Sequence, residues 1–157
     1  MRPSRRHDRS MDNYTLAVLE SKTASDVMSP PCAIVRSDTS VWEVVERFLT
    51  GPARHVVVVD AQNRSLGVIG TRHLATLWPL DPKVLKATPV QSLGCAAWIA
   101  LRPDDDLRTC AQTLTEHHLD AVPVLDEDAH VLGVVTARDV TRALADATDR
   151  KQHAWQE

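Results

Sequence analysis

The stretch GVVTARDV, residues 133–140, has a near copy at residues 67–74, GVIGTRHL. The two lie 66 residues apart, and the same offset holds without a gap far upstream. Arg36 meets Arg102, Asp38 meets Asp104, Val56 meets Val122, Val58 meets Val124, Asp60 meets Asp126, Leu66 meets Leu132 and Arg72 meets Arg138. One register kept through helix-like and strand-like stretches alike marks two copies of one supersecondary unit.

The hydrophobic periods agree between the copies. Val41, Val44, Val45 and Phe48 fall at i, i+3, i+4 and i+7, and Leu107, Cys110, Ala111 and Leu114 repeat that helical stripe. Ser40 with Glu43 has the spacing of a capping box, which places the helix start. HVVVVD and AVPVLD are short, apolar and β-branched, so each predicts a strand. A polar turn follows, AQNRS or EDAH, then a second apolar run, LGVIG or VLGVVT, which closes a hairpin. TRHLATLW and ARDVTRALADA predict a second helix, the latter with Val140, Leu144 and Ala147 on one face. A leading strand, CAIV or WIAL, precedes each first helix. Each unit is therefore β-α-β-β-α, in the mixed α/β (α+β) class, and a unit this small buries its faces only against its sister. The divisions are residues 1–22 for a tail and lead-in, helical near Leu16 to Leu19, then 23–78 for the first unit. A linker at 79–88 follows, marked by Pro79, Pro82 and Pro89, then 89–147 for the second unit and 148–157 for a tail.

Composition narrows the class. The 157 residues are 43% apolar, and 21 acidic against 18 basic residues give a net charge of −3, so no overall basic field invites nucleic acid. Arg2, Arg5, Arg6 and Arg9 cluster in the head, which reads as a disordered tail rather than a nucleic-acid arm. Cys32, Cys95 and Cys110 are odd in number and far apart, as expected of thiols in a reducing compartment. No run reaches the roughly 20 apolar residues of a membrane span, and no signal-peptide pattern is present. A soluble cytoplasmic protein is expected, with Met1 and Met11 both possible starts.

The order ASDVMSPP, IVRSDTSVWEVVERF, HVVVVD, LGVIGTRHL, repeated as PVQSLG, ALRPDDDLRTCAQTL, AVPVLDEDAHVLGVVTARDV, resembles a tandem pair of cystathionine β-synthase (CBS) domains, called a Bateman module. The resemblance covers residues 23–147. It implies a pseudo-twofold pair whose sheets pack together, with clefts that in many relatives bind adenosine nucleotides or S-adenosylmethionine. It implies no catalysis, signalling to an effector protein, and frequent dimerisation. The expected function is a stand-alone regulatory pair that binds AMP, ADP, ATP or S-adenosylmethionine and acts as a homodimer. The alternative is a protein-interaction module with vestigial clefts.

In ligand-binding relatives the last strand is followed by Gly, two apolar residues, Ser or Thr, two variable residues and Asp, and GVVTARD fits throughout. The resemblance implies that Asp139 accepts hydrogen bonds from both ribose hydroxyls and that Thr136 positions the ligand; Arg138 would add a fixed cation for a phosphate. An ionised carboxylate suits two adjacent hydroxyls, and a helix N-terminus suits an anion. A Thr three residues before an acid is equally a helix cap that needs no ligand. Both readings stand on the sequence. In the first copy the two positions are Gly70 and His73, so the fork is missing, and that cleft is expected to be empty, degenerate or specialised. By matching position, the resemblance also implies Ala33 or Ile34 near the base and Ala53, Arg54 and His55 at the corner of the working cleft. Asp120 stands at the equivalent corner of the second copy, where it would repel phosphates and disfavour ATP.

Other candidates reduce to structure. His117 and His118 point about 100° apart on a helix and do not share a metal. Cys110 belongs to the apolar stripe, as do Val45 and Phe48. Cys32 and Cys95 have no redox motif behind them. The acidic run at 104–106 suits a helix start. Trp42 and Trp98 read as buried or interface indoles. No nucleophile stands at a recognisable spacing from a base, and the five glycines form no phosphate loop. Neither catalysis, nor a catalytic cofactor, nor a metal is expected.

Overall fold

The structure, a computed structural model, describes residues 9–31, 33–77, 81–94 and 99–154. The expectations placed on Arg2, Arg5, Arg6, Cys32, Cys95 and Trp98 lie outside these residues. Two small sheets form. The first holds β1 (Ile34–Arg36), β2 (His55–Val59) and β3 (Ser65–Gly70), with β1 parallel and β3 antiparallel to β2. The parallel pair is joined through α3 (Val41–Thr50), which starts where Ser40 Oγ accepts the Glu43 amide at 3.2 Å. The second sheet is the hairpin of β4 (Ala121–Leu125) and β5 (Val131–Thr136).

The two hairpins turn on the same residue type. Asp60 accepts the amides of Gln62 and Arg64, and Asp126 accepts those of Asp128 and His130, at 2.8–2.9 Å. Asn63 and Ala129, one offset apart, both take positive φ, 61° and 65°. These backbone amide bonds, from Arg64 and His130 first, hold both carboxyls below their usual range. The repeat of Asp60 at Asp126 thus encodes the turn.

Among the described residues, the expected leading strand of the second copy appears as one parallel bridge, Leu101 to Val124. Leu101 donates to the Pro123 carbonyl and accepts from the Leu125 amide, both at 2.9 Å. The Asp105 carboxylate then takes the Arg102 amide at 2.7 Å, and the chain turns. Asp106 caps α6 (Leu107–Glu116) through the Thr109 amide. Two of the three carboxylates of the acidic run thus serve backbone amides, and Asp104 is exposed.

Packing crosses the sequence divisions. The lead-in, α1 (Arg9–Ser21) and α2 (Ala24–Val27), lies on the second unit, where Val18 and Ala24 join Leu107, Cys110, Leu114, Val140, Ala143 and Ala147 in one core. The stretch read as a linker contains α5 (Pro82–Ala87), capped by Asp81 with Pro82 in the first turn, and leads to a 3-10 turn at Val90–Leu93. Val90 packs into the first unit's core with Val35, Val44, Val56, Val58 and Ile69. The clasps obey the offset. Val41 N donates to Thr88 O as Leu107 N does to Lys22 O, and Val90 N to Thr39 O as Ala24 N does to Asp105 O, all at 2.7–2.9 Å. Thr23 bridges Asp106 as Pro89 bridges Ser40. Each first helix is held by the segment that leads into the other unit.

The sheets meet face to face through Val57, Val59 and Val134, with Val68 and Val131 against them. Arg64 bridges His130, its own equivalent, which puts that contact on the pseudo-twofold axis. The units differ at their last helices. The first ends in α4 (Thr71–Ala75), the second in α7 (Ala137–Ala154), which runs past residue 147.

Candidate functional site

Thr136 closes β5 and Asp139 sits in the first turn of α7. The Asp139 side chain is buried, 6% exposed. Oδ2 accepts from the Thr136 amide at 2.9 Å and from the Thr136 hydroxyl, while the Asp139 amide donates to Thr136 Oγ1 at 3.2 Å. That is a reciprocal cap. Oδ1 accepts from Ser29 Oγ at 3.1 Å, a residue 110 positions away. Each carboxylate oxygen therefore carries one hydroxyl donor, from two different parts of the chain.

The other cleft is built from substitutes. Gly70 begins α4, and its amide donates to His73 Nδ1 at 3.2 Å, so an imidazole takes the place of the carboxylate. Nδ1 is then an acceptor and the ring's other nitrogen carries the proton. Where the second unit pairs Ala121 with Thr136 across its hairpin, the first pairs His55 with Gly70. The small partner leaves room for the large ring. His55 is 7% exposed, and its Nε2 has no hydrogen-bond partner among the described residues. Burial pushes its pKa down, and the charges of Asp139 and Asp120 pull the other way. His55 thus lies within electrostatic reach of a carboxylate from each cleft.

The remaining expected residues are dispersed. Asp120 belongs to the first cleft, where its Oδ2 lies 3.8 Å from the position a Gly70 Cβ would take. With His55, Gly70, Arg72, His73 and His118 it lines a cavity of about 30 Å³, and a neighbouring one of about 60 Å³ runs along His73, Gly94 and Leu119. Arg138 is exposed on α7. Arg54 is exposed and borders a groove of about 550 Å³ on the helical face of the first unit, with Trp42, Val45, Phe48, Leu74 and Leu77. Ala53 is buried, Ala33 packs against the first core and its carbonyl accepts from the Val57 amide, and Ile34 is 46% exposed. The structure brings Thr136 and Asp139 into contact and His55 near Asp139. No contact joins Ala33, Ile34, Ala53, Arg54 or Arg138 to them among the described hydrogen bonds and ion pairs.

Ser29 is the site residue that sequence reasoning missed. Its only signal is a hydroxyl before Pro30 and Pro31, with nothing local to pair it with Asp139. Cys110 is a free buried thiol whose pKa burial raises to about 11, and it takes no part. Among the described residues no three His, Cys, Asp or Glu side chains gather as for a metal, and no helix is long and apolar enough to cross a membrane.

A family model for the CBS domain matches residues 24–78 and 96–146. Among curated proteins the chain is 31% identical over 141 residues to the magnesium transporter MgtE of Thermus thermophilus, covering 85% of this chain and 30% of that protein. It is 25% identical over 134 residues to a homoserine O-acetyltransferase of Methanohalobium evestigatum, covering 84% of this chain and 26% of that protein. The chain spans between a quarter and a third of these relatives' lengths. Among solved structures, that of CBSX2 in complex with AMP superposes with a TM-score of 0.68 at 25% identity, covering 80% of this chain and 98% of the other.

Proposed function

The chain belongs to the CBS domain family, in two tandem copies, and on that premise we propose that it is a regulatory module that binds an adenosine-containing ligand in the cleft of Thr136 and Asp139. One observation carries the reading. The Asp139 carboxylate is buried at a helix start and already receives a hydroxyl on each oxygen, the donor pattern that a vicinal ribose diol would present. The AMP bound by the similar CBSX2 structure supports the same ligand class. The first cleft keeps only an imidazole at the matching position, which favours one site per chain. AMP, ADP and S-adenosylmethionine are the ligands of choice. ATP is the least favoured, because the Asp120 and Asp139 carboxylates both act on His55 between the clefts and would repel a polyphosphate.

The module performs no chemistry of its own. Its output is a population shift, in which ligand favours one arrangement of the units for an effector protein to read. We place it in the cytoplasm as a homodimer. The groove beside α3 supports the dimer, since Leu49 is 71% exposed there while the equivalent face of the second unit is covered by α1 and the longer α7. The competing reading is an interaction module with vestigial clefts, favoured by the intramolecular cap that already satisfies Asp139. Thermal unfolding of wild type and Asp139→Ala with each of the four ligands separates them. Ligand at about 100 times its Kd adds roughly 2.7 kcal/mol and shifts the wild-type midpoint by several degrees, with no shift in the variant. A wild type that folds and responds to none of the four favours the interaction module.

A further inference from the structure

Residues 28–31 form a strap that leaves the helical layer of the second unit, crosses Asp139 and enters the first unit at β1. It lies along β5 as an added edge. Ser29 N donates to Val134 O and Val134 N to Ser29 O, both at 2.9 Å. Below it Gly133 has no side chain, and a Cβ there would stand 2.8 Å from Met28 Sδ and 3.0 Å from Ser29 O. The strap is seated as closely as backbone permits. Beyond Ser29 come Pro30 and Pro31, which have no amide to donate, so the strap cannot continue that ladder. Ser29 is its last anchor. The third tie of that residue is the hydroxyl on Asp139 Oδ1 at 3.1 Å.

We propose that Ser29 is a latch that competes with the ligand for Asp139. Its hydroxyl occupies one of the two carboxylate positions a vicinal diol takes, so a diol that engages both oxygens displaces it and loosens the strap that joins the two units. This rests on the adenosine reading above and adds to it the element that converts occupancy into movement. Upstream the strap is fixed to the second unit, since Ala24 is fully buried and its amide donates to Asp105 O. Downstream it continues into β1, paired with β2 in the first unit. A change at Ser29 therefore acts between the units.

The test is titration calorimetry of AMP into wild type, Ser29→Ala and Ser29→Thr, with hydrogen exchange of the peptide spanning residues 27–31. Removing a competitor worth one hydrogen bond should tighten AMP by about three- to ten-fold in Ser29→Ala. Ser29→Thr, which keeps a hydroxyl, should bind as wild type does. AMP should speed exchange of the strap in wild type, and in Ser29→Ala the strap should exchange fast already and respond little. Equal or weaker AMP binding by Ser29→Ala, or a wild-type strap whose exchange ignores bound AMP, overturns the latch and leaves the adenosine reading intact. AMP that binds none of the three proteins overturns the latch as a competitor of AMP, and the adenosine reading falls with it only if ADP, ATP and S-adenosylmethionine bind none of them either.

Discussion

Replacing Asp139 by alanine removes the acceptor for three donors: the Thr136 amide at 2.9 Å, the Thr136 hydroxyl, and the Ser29 hydroxyl at 3.1 Å. The two hydroxyls can rotate towards water, since Thr136 and Ser29 are only half-buried. The amide at the start of α7 cannot. A hydrogen bond to a charged group contributes about 1.5–3 kcal/mol, and helix caps lost to alanine cost about 0.5–2 kcal/mol. These overlap on one carboxylate, so their sum is not taken, and the expected loss is about 2–3 kcal/mol. For a chain of this length that lowers Tm by roughly 5–10 °C. Urea and thermal unfolding followed by circular dichroism, without ligand, read it directly. A second measure isolates the long-range part: Asp139→Ala introduced with Ser29→Ala should show a coupling of about 1 kcal/mol. A loss under about 0.5 kcal/mol, or no coupling with Ser29, would mean that the buried carboxylate is not held as described.

The pH response follows from His55, whose folded pKa burial holds below its ordinary 6.5. In the window just below 6.5 the unfolded chain binds the proton and the folded chain does not, so stability falls as pH drops and levels off below the folded value. His55→Ala, which installs the residue the second unit has at Ala121, should lessen that fall in unfolding curves taken from pH 7.5 to 5; an unchanged slope rejects the assignment. Gly133→Ala should cost about 1–3 kcal/mol by urea unfolding, because its Cβ would press on the Ser29 carbonyl and Met28, and a neutral result would show that the strap sits loosely. Leu49→Ser should leave stability within about 0.5 kcal/mol but shift sedimentation from dimer to monomer, and an unmoved dimer would place its interface elsewhere.

The local grammar of the fold was legible. Asp60 and Asp126 each make the same turn, the stripes at Val44 and Cys110 are buried as the helical period requires, and Ser40 caps where its spacing says. What escaped was contact between distant segments. Nothing near Lys22 or Thr88 announces that their carbonyls clasp the opposite unit, because a clasp by backbone atoms leaves no side-chain preference to read. The prolines around residue 82 mark a connection, and Asp81 followed by Pro82 starts a short helix within it, α5. At the site, the spacing of Thr136 and Asp139 fits a ligand fork and a cap alike. The structure shows the cap, and the sequence could not show Ser29 on the other oxygen.

The most direct measurement is titration calorimetry of AMP into wild type, Asp139→Asn and His73→Ala. One saturable site per chain is expected in wild type and in His73→Ala, with binding lost in Asp139→Asn. Binding that survives Asp139→Asn and disappears in His73→Ala would contradict the assignment of the ligand to the cleft of Thr136 and Asp139.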